Sequence, residues 1–381
     1  MKKFFYLGVL GLIFFEIANV YFIMPIPGSQ EINSLQLAYL LHNQQWLFRA
    51  AFGFMILLGL NAAWKGSKFL VILSFILVAV VVYMTNYNMA ADHMFYQTKN
   101  LQMLNVHDNK VDLDNLIIGV AFQNEAKAYP IQFIGYHHQV RDKIGTQPIM
   151  ITYCTVCRSG RAFEPTVNGK VESFRLVGMD HYNAMFEDIT TKSWWRQETG
   201  ESVAGPLKGQ TLKEIPSMQA TLKEWLALYP QSLIMQPDSV FKSEYDSLTN
   251  FETGERKGRL TRRDTSSWHD KSWIAGIQVG QSSKAYDWNK LLKERIIYDS
   301  LSHQSFVIFI AFDDKSLFAY KIDSAEHPIS IRNDTLIIGS NNYDLLGRSY
   351  QDSVKSLHPF QVYQEYWHSW KSFHPGTIRD Q

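Results

Sequence analysis

Every long apolar run in this chain falls before about Asn88, and that confinement limits its architecture before any motif is read. Phe4 to Met24 is apolar except for Glu16 and Asn19, and about 20 such residues suffice to cross a bilayer as a helix. An acid interrupts the run and Pro25-Ile26-Pro27 follows it. A secretory signal has a shorter apolar core and a small-residue cleavage site, so the segment reads as an uncleaved anchor. Phe48 to Ala63 is shorter but is flanked by Trp46 and Trp64, residues that favour the headgroup level. Phe69 to Tyr83 is rich in Val, Ile and Leu, and extends through Met84 if the helix begins near Lys68.

Three spans put the termini on opposite sides. Lys2 and Lys3 precede the first span and Lys65 and Lys68 link the second to the third, while 25–46 holds no lysine or arginine. The bias predicts a cytoplasmic N-terminus, an extracytoplasmic C-terminal domain and an inner-membrane location, with the lipid bilayer as partner. Arg49 breaks the pattern, and near a helix end its side chain is expected to snorkel to the interface. Glu16 marks an ion or proton path or, more commonly for a lone acid, finds a polar partner on a neighbouring helix.

The remaining residues, from 89 onward, read as soluble and are numerous enough for one large domain or two packed halves. A net charge of +1 gives no electrostatic excess toward nucleic acid, and no nucleotide cofactor is predicted. Self-similarity decides the architecture. Ile118-Gly119-Val120, Lys127-Ala128-Tyr129, Asp142, Gln147, Ile151, Ser159 and Ala162 recur at one constant offset as Ala275-Gly276-Ile277, Lys284-Ala285-Tyr286, Asp299, Gln304, Ile308, Ser316 and Ala319. Leu176-Val177-Gly178 resembles Ile337-Ile338-Gly339, and Trp225 and Pro230 close the first copy as Trp370 and Pro375 close the second. The expected fold is therefore an anchor of three α-helices plus a β-rich (α+β) soluble domain built from two degenerate repeats. Its parts are an anchor (1–88), a connector (89–114), a first repeat (115–238), a linker (239–272) and a second repeat (273–381).

Within each copy strands dominate. Leu116 to Phe122 and Lys127 to Tyr129 flank Gln123-Asn124-Glu125 as a hairpin, and Asn168-Gly169 marks another between Arg161 to Val167 and Val171 to Val177. Ser217 to Tyr229 and Gln361 to Phe373 show helical spacing, each ending before a proline. Ser239 to Asp270, which contains Thr253-Gly254-Glu255-Arg256-Lys257-Gly258, lacks periodicity.

Residues kept in both copies hold the fold; polar residues confined to one copy are candidates for a site. Cys154 and Cys157 face Ala311 and Asp314, His137 and His138 face Glu294 and Arg295, and His181 faces Asn342. The chain's two cysteines form one Cys-x-x-Cys, so a Cys₄ site within one chain is excluded. With His137 as third ligand, and His138 or His181 as a fourth, the pair would hold zinc, or copper(I) as a soft ion. Two other readings stay open. One is thiol–disulfide exchange with Cys154 as nucleophile, although Arg158-Ser159-Gly160 is a poor helix opening. The other is a non-enzymatic binding domain stapled by a structural disulfide in an oxidising compartment. Trp194-Trp195-Arg196-Gln197 and the glycine-rich segment to Gly209 line a ligand pocket or, more often, form core. Enzymatic activity and the protein or small-molecule partner do not follow from the residues.

Lys127-Ala128-Tyr129-Pro130, His137, Ile151-Thr152-Tyr153-Cys154-Thr155-Val156-Cys157, Ser193-Trp194-Trp195-Arg196-Gln197 and Gly205-Pro206-Leu207-Lys208-Gly209 occur in that order. Over about 115–381 the chain resembles the bacterial and archaeal family catalogued as domain of unknown function 3179. That family commonly has Pro-Leu between the cysteines and Glu after the histidine, where this chain has Thr155-Val156 and His138. The resemblance implies an extracytoplasmic bacterial protein with Cys154, Cys157 and His137 as its shared polar set, and brings no activity.

Overall fold

The computed structural model describes the whole chain except Asn250, Lys257, 323–327, Asp334 and Gln381. It divides into two compact units, and neither follows the order of the sequence. One combines Met1–Tyr96 with Glu172–Arg196 and Glu201–Thr211; the other combines Gln97–Val171, Gln197–Gly200 and Leu212–Gln381.

The first unit holds three helices long and apolar enough to cross a membrane, Lys2–Tyr21, Gln45–Gly66 and Lys68–Asn88, the last ending in a π-helical turn, Met84–Asn88. Many of their large apolar side chains face outward, Phe14, Leu57 and Phe69 among them. Glycine permits close approach of the first two: a Cβ on Gly59 would lie 2.2 Å from the backbone nitrogen of Phe5. Glu16 is buried and bound by Arg49 (Nε to Oε1, 2.7 Å) and by Asn86 (2.8 Å). Arg49 therefore turns inward to a buried carboxylate instead of snorkelling, because an unpaired acid among apolar helices costs more than a displaced arginine.

The same unit carries the antiparallel strands Phe174–Asp180, Asn183–Asp188, Trp194–Arg196 and Ser202–Ala204. Val177, Met185, Trp194 and Ala204 pack with Val20, Ile23, Met24 and Ala38 in one core. Gly178 makes the approach possible: a Cβ there would stand 2.4 Å from the Ile23 carbonyl, which accepts the Met179 N–H at 2.8 Å.

In the second unit one succession of elements occurs twice. Leu116–Phe122 pairs antiparallel with Glu125–Pro130, the helix Ile131–His137 follows, and then the strands Gln139–Ile144, Gln147–Cys154 and Ser159–Glu164. Later, Trp273–Val279 pairs with Ser282–Asp287, the helix Trp288–Glu294 follows, and then Ile296–Leu301, Gln304–Ile310 and Leu317–Lys321. Lys127 and Lys284 occupy the second strand of each run, and each ammonium meets a carboxylate, Asp142 or Asp299, that also accepts from Tyr129 or Tyr286. Gly119 and Gly276 each leave room for an indole, since a Cβ on either would lie 2.4 Å from Trp225 or Trp370.

Two expected elements differ. The segments from Ser217 and Gln361 start as strands, Met218–Thr221 and Tyr363–Tyr366, which hydrogen-bond to Leu116–Gly119 and Trp273–Gly276. Only the last turns are helical, Leu222–Leu228 and Trp367–Phe373, because edge pairing claims the first residues. The link from Ser239 to Asp270 contains a 3-10 turn, Ser239–Phe241, and a helix, Lys242–Ser247; buried Phe241, Tyr245 and Phe251 hold it down. Lys257 of that link lies outside the described residues. Asn168 and Gly169 do form a tight hairpin turn, with φ of 50° and 76°.

Candidate functional site

The Cys-x-x-Cys is the tip of a hairpin. Cys154 ends one strand and pairs with Ser159 at the start of the next, leaving Thr155 to Arg158 as the connection. Arg158 closes it with a φ of 57°, a left-handed conformation common in tight turns. Both cysteines are buried thiols outside any disulfide.

The next strands supply their company. Tyr366 donates its N–H to the Cys157 carbonyl at 2.9 Å, and two residues on, His368 brings Nε2 to 3.9 Å from the Cys157 sulfur. His368 Nδ1 lies 3.0 Å from the Asp270 carbonyl, which can only accept. The proton therefore sits on Nδ1, and Nε2 offers its lone pair toward the thiol. Lys271 donates to the Val156 carbonyl at 2.6 Å, inside the Cys-x-x-Cys, and lies over the Tyr366 ring. Burial pushes the Cys157 thiol well up, and the Cys154 thiol beside it adds to the rise while His368 opposes it. Burial also lowers Lys271 to about 8, against the pull of both sulfurs and Asp270.

Arg158 is fully buried. Its guanidinium lies 3.8 Å from the centre of the Trp273 ring and donates to the Glu252 carbonyl at 3.1 Å. The Glu252 carboxyl, raised to about 7 by burial, accepts the Leu116 N–H at 2.6 Å.

The structure brings Cys154 beside Cys157 and adds His368. It gives His137 to the Tyr245 hydroxyl at 2.6 Å, within a cage of Tyr136, Phe241 and Tyr245. His138 takes a φ of 60°, accepts the Tyr153 N–H on its carbonyl, and is lowered to about 4 by burial. His181 belongs to the other unit, bound to Asp180 at 2.6 Å and Asn33 at 3.0 Å; the Asp180 carboxylate raises its pKa. Among the described residues no group of three or more His, Cys, Asp or Glu side chains is gathered so as to hold a metal ion. Trp194 and Trp195 are core, their indole N–H groups donated to Glu187 and Asp188.

A second buried cluster lies on the strand that leaves the hairpin. Arg161 binds Glu198 at 2.8 Å and Glu365 more closely still, with Tyr363 stacked 3.9 Å away. His374 binds Glu198 at 2.9 Å, and Glu214 accepts from Tyr363 at 3.0 Å. Burial raises Glu365 and Glu214; at Glu198 burial is outweighed by His374 and Arg161, and that carboxyl is lowered.

Sequence reasoning missed His368, Lys271 and Arg158. The comparison of copies could have found the first: in register with Trp225 and Trp370, His368 stands where the first copy has Lys223. Arg158 lies between the thiols and the next strand, and its burial has no sequence signal.

A family model described as protein of unknown function (DUF3179) matches residues 97–377, most of the chain. No curated protein and no solved structure matches it.

Proposed function

The chain belongs to the DUF3179 family, and since that membership carries no activity we propose one from the site itself: a membrane-anchored protein whose buried Cys154, Cys157 and His368, which are not gathered at metal-ligand spacing in the structure, would close on a soft metal ion, copper(I) ahead of zinc. The anchor is the three apolar helices, with the lysine bias setting the N-terminus inside. The soluble unit is a degenerate repeat, supported by the two lysine–aspartate–tyrosine triplets and the two glycine–indole contacts.

One observation carries the metal reading. The His368 imidazole is held at Nδ1 by a backbone carbonyl and turns Nε2 to the Cys157 sulfur, the arrangement that fixes the tautomer and direction of a ligating histidine. Burial argues the same way. A fully enclosed thiol is out of reach of an external disulfide, whereas a metal ion takes the place of the thiol protons as it binds. Thiolates favour copper(I). Two thiolates on one copper(I) carry a net negative charge, and Lys271, on which both sulfurs act, is the cation beside them.

The test is retention of copper(I) by the full chain in non-ionic detergent, under reducing conditions, against a chromogenic copper(I) chelator. One equivalent should be retained, lost in Cys154→Ser and Cys157→Ser and weakened in His368→Gln. Neither copper nor zinc retained, together with loss of two hydrogens in the mass spectrum on air exposure, would overturn the metal reading in favour of a dithiol–disulfide couple.

A further inference from the structure

Residues drawn from between Gly258 and Lys271 line a polar cleft of about 860 Å³. Arg259, Arg262, Arg263 and Lys271 face it, against Asp264 and Asp270. Both acids are already engaged, Asp264 by His269 at 2.9 Å and Asp270 by Lys371 at 2.6 Å. Among the described residues none of the four cations forms an ion pair with a carboxylate; the pairs formed by the cleft's acids go to His269 and Lys371.

These cations are held in place without being neutralised. Arg263 lies 3.8 Å from the centre of the Trp273 ring, as Arg158 does, and its Nε is buried without a hydrogen-bond partner among the described residues. Two guanidinium groups on one indole repel each other. Burial, and Arg158 after it, lowers Arg263 to about 10. Lys271 directs its ammonium to a backbone carbonyl and an aromatic face. Partly burying Arg263 and Lys271 without an anion costs stability, and among the described residues no carboxylate forms an ion pair with either.

We infer that this cleft is a binding site for a phosphate group, with Arg259 and Arg262 at its exposed rim and Arg263 and Lys271 at its floor. A doubly charged oxyanion suits a set of several cations better than a single carboxylate does, and arginine forks match phosphate oxygens in pairs. The group comes from a soluble phosphate compound or from the headgroup of an anionic phospholipid. The cleft adjoins the thiol site: Lys271 borders both, and Asp270, whose carbonyl holds His368, lines the cleft as well.

The experiment is calorimetric titration of the full chain in non-ionic detergent with inorganic phosphate and with pyrophosphate, using sodium chloride at matched ionic strength as the control. Thermal unfolding in nanodiscs of zwitterionic lipid, with and without anionic phospholipid, forms the second arm. Saturable one-to-one binding of a soluble phosphate is expected if the source is soluble; stabilisation confined to anionic nanodiscs identifies the headgroup. In either case the double variant Arg259→Glu, Arg262→Glu should lower affinity by about tenfold or more while its unfolding in the ligand-free state is unchanged, because both side chains are exposed. A response no greater than that to chloride in the first arm together with none in the second, or full binding by the double variant, would overturn the inference. Copper retention measured on the same preparations separates the two readings, since the rim variant should keep its metal.

Discussion

The hairpin that ends at Cys154 and the one that ends at Ile310 share their register and their scaffold, and differ almost wholly at the tip. Thr152 pairs with Arg161 in the first, as Phe309 pairs with Phe318 in the second. The second tip is solved at the surface: Arg295 pairs with Asp314, and Phe312 is exposed. The first tip is buried throughout, with two thiols, a guanidinium over an indole and a neighbouring lysine. Since the second hairpin folds without any of these groups, the first does not need them to be a hairpin. Buried polar groups that a fold does not require point to a ligand or a reaction.

The sharpest way to break this contrast is to compare Arg161 with Phe318, which stand at the same place in the two hairpins. Arg161→Met strands Glu365 in the interior and leaves Glu198 with His374, and should cost about 3–5 kcal/mol at pH 7. Phe318→Ala should cost a similar amount, about 3–5 kcal/mol, through the cavity left behind. Only the first cost depends on pH. Without the arginine Glu365, already raised by burial, is raised further, so its contribution is full below the unfolded pKa and is lost as pH rises. Denaturant unfolding should show the Arg161→Met penalty shrinking toward pH 4 while the Phe318→Ala penalty stays constant; parallel pH profiles would mean that the two positions do the same packing job.

A smaller effect tests what the halves share. Gly119→Ala and Gly276→Ala each drive a methyl into an indole, at about 1–3 kcal/mol apiece. Thermal unfolding should find the two losses alike, and a silent variant would mean that one glycine–indole contact is dispensable. Smallest are Lys127→Met and Lys284→Met, about 1 kcal/mol for pairs at the edge of the core whose aspartates keep a tyrosine donor. Lys127 is the more buried of the two and should lose more; the reverse order in chemical denaturation would upset the equivalence of the triplets.

Sequence reading reached what is local. Asn168-Gly169 specified its turn because few residues tolerate two successive positive φ values, and Arg158-Ser159-Gly160 after the thiols read as a poor helix opening, where the structure has a strand. It failed where partners are remote in sequence. His368 and Lys271 reach Cys157 and Val156 only because strand pairing brings Tyr366 to the hairpin, and no periodicity encodes that. The aromatic link around Tyr245 read as unstructured because its burial depends on the His137 helix it covers. Charge and apolar runs located the three helices, but not the inward turn of Arg49.

The packing of Val177, Met185 and Trp194 against Val20, Ile23 and Ala38 has a consequence for the order in which the chain is made. The helical segment leaves the ribosome first, and its partners in that core follow only after Gln97–Val171, which belongs to the other unit, has been synthesised. The first unit therefore cannot close as it emerges; it stays open while the start of the second is made, and is completed from the interior of the chain. A polypeptide begun at Gln97 would make the strands Phe174 to Ala204 with one face of their core missing, so removing the apolar helices removes part of a folded unit and not merely a tether.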